Sequence, residues 1–248
     1  MKTTKYLAII ALTVTLFSSC KKNDTQAPAE PVTINSDGSL NIADADGAFY
    51  AIESKNFDTY NSSTFEEVQY AYAWFGKFPA VVDAGTVTVN NIQVDNFGNF
   101  YTAFALLSSS DTLFKGANVN AAWNVQGNTT SGISAFTHTD NTTLPVAPSF
   151  TLPASVNINN SLTVNHTATG GAMGVLYTLT GSKGDTTKFV ANSSSSVTFT
   201  SAEVKAVAIS SDRVGLSVMP VTYSSASYGG KKYYFIKQHQ YTRETVTQ

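Results

Sequence analysis

Only one cysteine occurs in the 248 residues, Cys20, so no disulfide can brace the chain and its cores must hold by packing alone. Charge is also scarce. Fifteen basic against 17 acidic residues leave a formal net charge of −2, with 13% of residues charged. A balance this neutral lacks the basic field that phosphate binding needs, which excludes nucleic acid as a partner. The three histidines, His138, His166 and His239, are scattered, and none stands at metal-ligand spacing from another histidine, cysteine or carboxylate. No Gly-x-Ser-x-Gly elbow, phosphate loop or His-Glu-x-x-His is present, so no catalytic residue, metal or cofactor is assigned. What the chain does have is 42% apolar and 12% aromatic residues, enough to bury a core and too much for a disordered segment. Its abundant Thr, Val, Tyr and Phe suit strands, and its Asn and Gly suit the turns between them.

The N-terminus carries an address. Lys2 and Lys5 precede an apolar run, Tyr6 to Phe17, which is too short to span a bilayer core and of signal-peptide length. Ser18 and Ser19 then lead to Cys20. This start resembles a bacterial lipoprotein precursor, whose motif is an aliphatic residue, two small residues and cysteine. Here Phe17 stands where leucine is usual, with Leu16 one place early. The resemblance implies cleavage of residues 1–19, a diacylglyceryl thioether on Cys20 and acylation of the freed amine, with palmitate-type chains. Several chains at about 0.8 kcal/mol per buried methylene make a stable anchor. The competing readings are a secreted protein with a stray cysteine and a short transmembrane anchor. The stretch "KKNDTQAPAEP" resembles the tethers of Bacteroidota lipoproteins, which implies an outer-membrane lipid anchor in the cell envelope with the periplasmic or surface face left open. Residues 20–35 read as the lipidated cysteine and a flexible tether stiffened by Pro28 and Pro31.

The expected fold class is all-β: two antiparallel β-sandwich domains, 36–146 and 147–248. The seam is "TTLPVAPSFTLP", Thr142 to Pro153, where three prolines interrupt strand and helix alike. In the first part "VQYAYAWF" alternates with a period of two, and the strand reading is preferred to a helix opened by Thr64 and Glu67. "GTVTVNNIQV" predicts a hairpin turning at Asn90-Asn91. The second part offers about seven short strands, the count of an immunoglobulin-like sandwich. Thr200 and Glu203 predict a capped helical turn, and the final long segment is expected to be the last strand. "DAGTVTVNN", "AAWNVQGN", "SVTFTSAEV" and "GKKYYFIKQ" resemble tandem β-sandwich lipoproteins of the Bacteroidota, a likeness that implies fold and location and no assigned activity.

Several residues are candidates for chemistry. "HTD", His138 to Asp140, reads as a solvated turn. "DADG", Asp44 to Gly47, has the opening of a calcium loop but Lys55 where a closing glutamate would fall, so a turn is the better account. Glu66 and Glu67 would point to opposite faces of a strand and form no catalytic pair. Trp74, Trp123, Tyr70 and Tyr72 are the candidate glycan contacts, since exposed rings on a sheet stack on sugars. The competing reading puts them in the core, where a disulfide-free sandwich needs large side chains. Thr112 and Thr186 follow aspartates in a pattern that resembles the O-glycosylation motif of Bacteroidota envelope proteins. The function expected is a non-catalytic, lipid-anchored envelope protein that binds or scaffolds a partner, either another envelope protein or a glycan. A glycan-binding lipoprotein using the first-domain aromatics is the alternative, and a hydrolase with dispersed acids is a third reading.

Overall fold

The computed structural model describes residues 33–34, 40–42, 44–57, 65–77, 79–106, 113–114, 120–191 and 195–248. The leader, the lipidation site Cys20, most of the tether and Thr112 lie outside the described residues. The first half contains β1 (Thr33–Ile34), β2 (Leu40–Asn41), β3 (Gly47–Phe57), β4 (Phe65–Lys77) and β5 (Ala80–Val81). It continues with β6 (Val87–Val89), β7 (Ile92–Phe97), β8 (Phe100–Leu106), β9 (Ala121–Val125) and β10 (Phe136–Asp140). Then come β11 (Ser155–Val156), β12 (Leu162–Asn165), β13 (Gly174–Gly181), β14 (Gly184–Ala191) and β15 (Ser196–Phe199). A short helix, α1 (Ser201–Val207), precedes two long strands, β16 (Arg213–Tyr228) and β17 (Lys231–Thr247).

The fold is all-β, with large mixed and antiparallel sheets and, among the described residues, no closed barrel. One sheet runs in the order β10-β9-β6-β7-β8-β4-β3-β17-β16-β13-β14, and β12 and β15 form a separate ladder. The expected antiparallel pairing holds through most of it, but the centre is parallel. β17 lies beside β3 in register from Tyr233↔Gly47 to Arg243↔Phe57. Parallel neighbours need no connecting turn, so strands from opposite ends of the chain can meet here. The sheet therefore continues across the proline-rich stretch after residue 146, and β17 is common to both halves.

Local signals account for much of the rest. Asn90 and Asn91 both take positive φ, 49° and 67°, which is what a two-residue hairpin turn requires. The turn sets Val87 opposite Val94 and Val89 opposite Ile92. The box at Thr200 and Glu203 caps α1 in both directions. Gly47 is needed for close approach, because a Cβ there would stand 2.6 Å from the Trp74 carbonyl oxygen and 2.8 Å from the Tyr233 ring.

Two main cores result. In the first, the sheet curls until β9 and β10 lie over β3 and β17: Trp123 meets Phe49 at 4.9 Å, and His138 stacks on Phe235 at 3.5 Å. In the second, the β12–β15 ladder covers β13, β16 and the end of β17, with Val204 and Val207 of α1 closing one side. β17 serves both, giving Tyr233 and Phe235 to the first and Tyr241 to the second.

Candidate functional site

The period of two in β4 produces two faces of opposite use. Ala71, Ala73 and Phe75 point into the first core, and Tyr70, Tyr72 and Trp74 point out the other side. Register then gathers more rings on that outer side. Trp74 is flanked by Phe100 on β8 and Ala48 on β3, Tyr72 by Thr102 and Tyr50, and Tyr70 by Phe104 and Ile52. Tyr234 and Ile236 of β17 extend the patch. The rings touch: Tyr50 and Tyr72 at 6.0 Å between centroids, Tyr72 and Phe100 stacked at 6.1 Å.

Exposure increases along this face. Trp74 is 7% exposed, Tyr70 38% and Phe104 73%. Burial, with the neighbouring Tyr72 adding to it, pushes the Tyr50 hydroxyl up to about 12, so it stays protonated as a donor at neutral pH. Of the four candidate glycan contacts, three share the outer face and one does not. Trp123 lies 2% exposed on the opposite side, inside the first core. Tyr50 and Phe104 were not singled out from sequence. The signal for Phe104 was there, since "FYTAFAL" alternates Phe100, Thr102 and Phe104 with the same period as β4. Thr186 sits half-buried on β14 opposite Leu179.

The inner face changes character beyond the first core. Glu53 and Lys55 of β3, Glu67 and Gln69 of β4, and Lys237 and His239 of β17 replace its apolar side chains. Gln69 is spent on structure: its amide donates to the Phe114 carbonyl at 3.1 Å and accepts from the Phe114 N–H at 2.9 Å. Lys55 and Glu67 form an ion pair. His239 Nε2 stands 4.0 Å from a Glu53 carboxylate oxygen. Burial, reinforced by Lys55, pulls the His239 imidazole down to about 4, and burial together with Glu67 raises Glu53. Around neutrality the site presents a neutral imidazole beside the Glu53 carboxyl group.

One motif takes a different place from that expected, whereas "DADG" keeps the expected turn before β3. "HTD" is not a solvated turn: it is the end of β10, with His138 half-buried and Asp140 buried. Alternation puts both on one face of that strand, turned toward β17. The carboxylates of "DADG" are engaged as struts, Asp44 accepting from Lys232 Nζ at 2.6 Å and Asp46 pairing with Lys77 at 3.2 Å. Among the described residues no group of three or more His, Cys, Asp or Glu is placed to hold a metal ion, and no helix is long and apolar enough to cross a membrane. Comparison with known proteins finds no family model that matches this chain and no curated protein that matches it.

Proposed function

We propose that this chain is a lipid-anchored, non-catalytic protein of the cell envelope that binds a partner through the outer aromatic face of its central sheet. The observation that carries the reading is the placement of Tyr70, Tyr72, Phe100 and Phe104 on the side of the strands opposite the first core, where Tyr70 and Phe104 are exposed and Tyr72 and Phe100 half-buried. The facing pair Tyr70 and Phe104 leaves rings in water beside the half-buried ones, and exposed apolar patches of this kind mark recognition surfaces. The lipoprotein-like start at Cys20 supports attachment to a membrane, with the folded part held off it by the tether.

A glycan is the second reading. It is favoured by Tyr50, Tyr70 and Tyr72, whose rings offer an apolar surface for sugar faces and a hydroxyl each for their edges. Affinity electrophoresis of the full chain through gels containing envelope and plant polysaccharides tests it. Retardation that disappears in Tyr70→Ala supports a glycan partner, and unchanged mobility in every polysaccharide removes it. The anchor is tested independently with Cys20→Ala, which is expected to abolish fatty-acid labelling and release the protein from membranes. Retention of the label in that variant overturns the lipoprotein assignment.

A further inference from the structure

We propose that Lys237 and Asp140 are joined by an amide bond formed by the protein itself, a side-chain cross-link between β17 and β10. Both side chains are interior, 0% and 2% exposed, and Lys237 Nζ stands 3.9 Å from Asp140 Oδ2. The lysine is held by two backbone acceptors, the Asp140 carbonyl at 2.9 Å and the Thr142 carbonyl. On the aspartate, Oδ1 accepts from the Thr142 N–H at 3.0 Å and the Thr142 hydroxyl at 2.8 Å, whereas Oδ2 is buried without a hydrogen-bond partner. That geometry fixes one oxygen and leaves the other as the departing one.

A third group completes the arrangement. His138 lies two residues before Asp140 on the same face of β10, stacked on Phe235, itself two residues before Lys237. Its Nδ1 is engaged with the Tyr228 hydroxyl at 2.8 Å, and its Nε2 is buried without a partner. With the Nδ1 proton donated to the tyrosine oxygen, Nε2 carries the free lone pair of a proton shuttle.

The chemistry balances without any other reactant. One proton passes from the Lys237 ammonium to the facing Asp140 carboxylate to give the neutral pair that reacts, and burial already lowers the basicity of both Lys237 and His138. The Nζ lone pair attacks Asp140 Cγ to form the C–N bond. His138 Nε2 takes a proton from the amine and returns it to the leaving hydroxyl, the C–O bond breaks, and one water departs. Fixed proximity replaces the external activation that amide formation requires in solution.

The place of the bond gives it a purpose. β10 ends the sheet on one side and β17 lies at its middle, and they are not neighbours in the hydrogen-bonded order. A cross-link here would close the curled first core as a disulfide closes others, in a chain with a single cysteine.

Mass spectrometry of the full chain after denaturation and trypsin digestion tests this. Expected is a branched species joining Tyr233–Arg243 to the peptide that carries Asp140, one water lighter than their sum and uncut after Lys237. Asp140→Ala should restore cleavage there. A linear Tyr233–Lys237 peptide in full yield from the unaltered chain overturns the cross-link, whether or not any variant folds. His138→Ala should leave a mixture of linked and linear forms, and complete linkage in that variant overturns the shuttle.

Discussion

The first core is filled by rings meeting edge to face, Phe49 touching Phe75 at 5.3 Å and Trp123 at 4.9 Å, over the alanines of β4. The second is mostly valine and leucine, with Val164, Val175, Leu179, Val197 and Leu216 between its two layers. The contrast follows from shape. The small Ala71 and Ala73 leave room that rings fill in the first core, whereas the layers of the second are filled by branched aliphatic side chains. One strand serves both. β17 changes from Tyr233 and Phe235 to Lys237 and His239 and then to Tyr241, so a polar stretch separates two apolar cores along a single backbone.

If that shared strand couples the cores, the largest effect comes from Phe235→Ala. Loss of a fully buried ring stacked at 4.8 Å on Phe49 should cost about 3–5 kcal/mol in denaturant unfolding. Both tryptophans lie in the first half, Trp123 inside the first core and Trp74 on the other face of the same sheet, so fluorescence reports that half while far-ultraviolet circular dichroism reports all the sheets. The two signals should shift together, and a fluorescence transition moving alone would show that the cores melt separately.

The polar stretch should make stability depend on acid. His239 titrates near 6.5 when unfolded and about 4 when folded. The unfolded chain therefore takes the proton first, and stability present above pH 6.5 should fall as pH drops toward 4. Glu53, raised by burial, works the other way, since the folded state accepts its proton more readily and is relieved of a buried charge. His239→Gln should flatten the acid-side loss in urea midpoints measured between neutrality and about pH 5. An unaltered slope would place its source elsewhere.

The smallest expected effect is confined to the second core. Thr200→Ala removes the cap of α1 and should cost about 1 kcal/mol, because Val204 and Val207 keep the helix docked. A cost several times larger in thermal unfolding would mean that the helix supports the β12–β15 ladder more than its contacts suggest.

Much of the strand pattern was legible because its signals are local. The Asn90-Asn91 turn, the alternation through β4, the Thr200 cap and the final strand each depend on residues a few places apart. The candidate surface was legible only in part. Tyr70 and Tyr72 stand out as aromatic, but a period of two states that a strand has two faces without saying which is covered. "HTD" was misread for the same reason. His138 and Asp140 look like turn residues until β10 is laid over β17, which supplies Phe235 and Lys237 from almost 100 positions away.

By itself, the amino-acid order determined an all-β chain without disulfides and the positions of its tight turns. Only the tertiary structure decided that β3 and β17 would lie parallel, that the alanine side of β4 would turn inward, and that a lysine, an aspartate and a histidine would meet between β10 and β17. The physical reason is the absence of a connecting turn. Parallel pairing between distant strands leaves no mark in the intervening residues, so it is settled by which arrangement buries the rings of both strands at once.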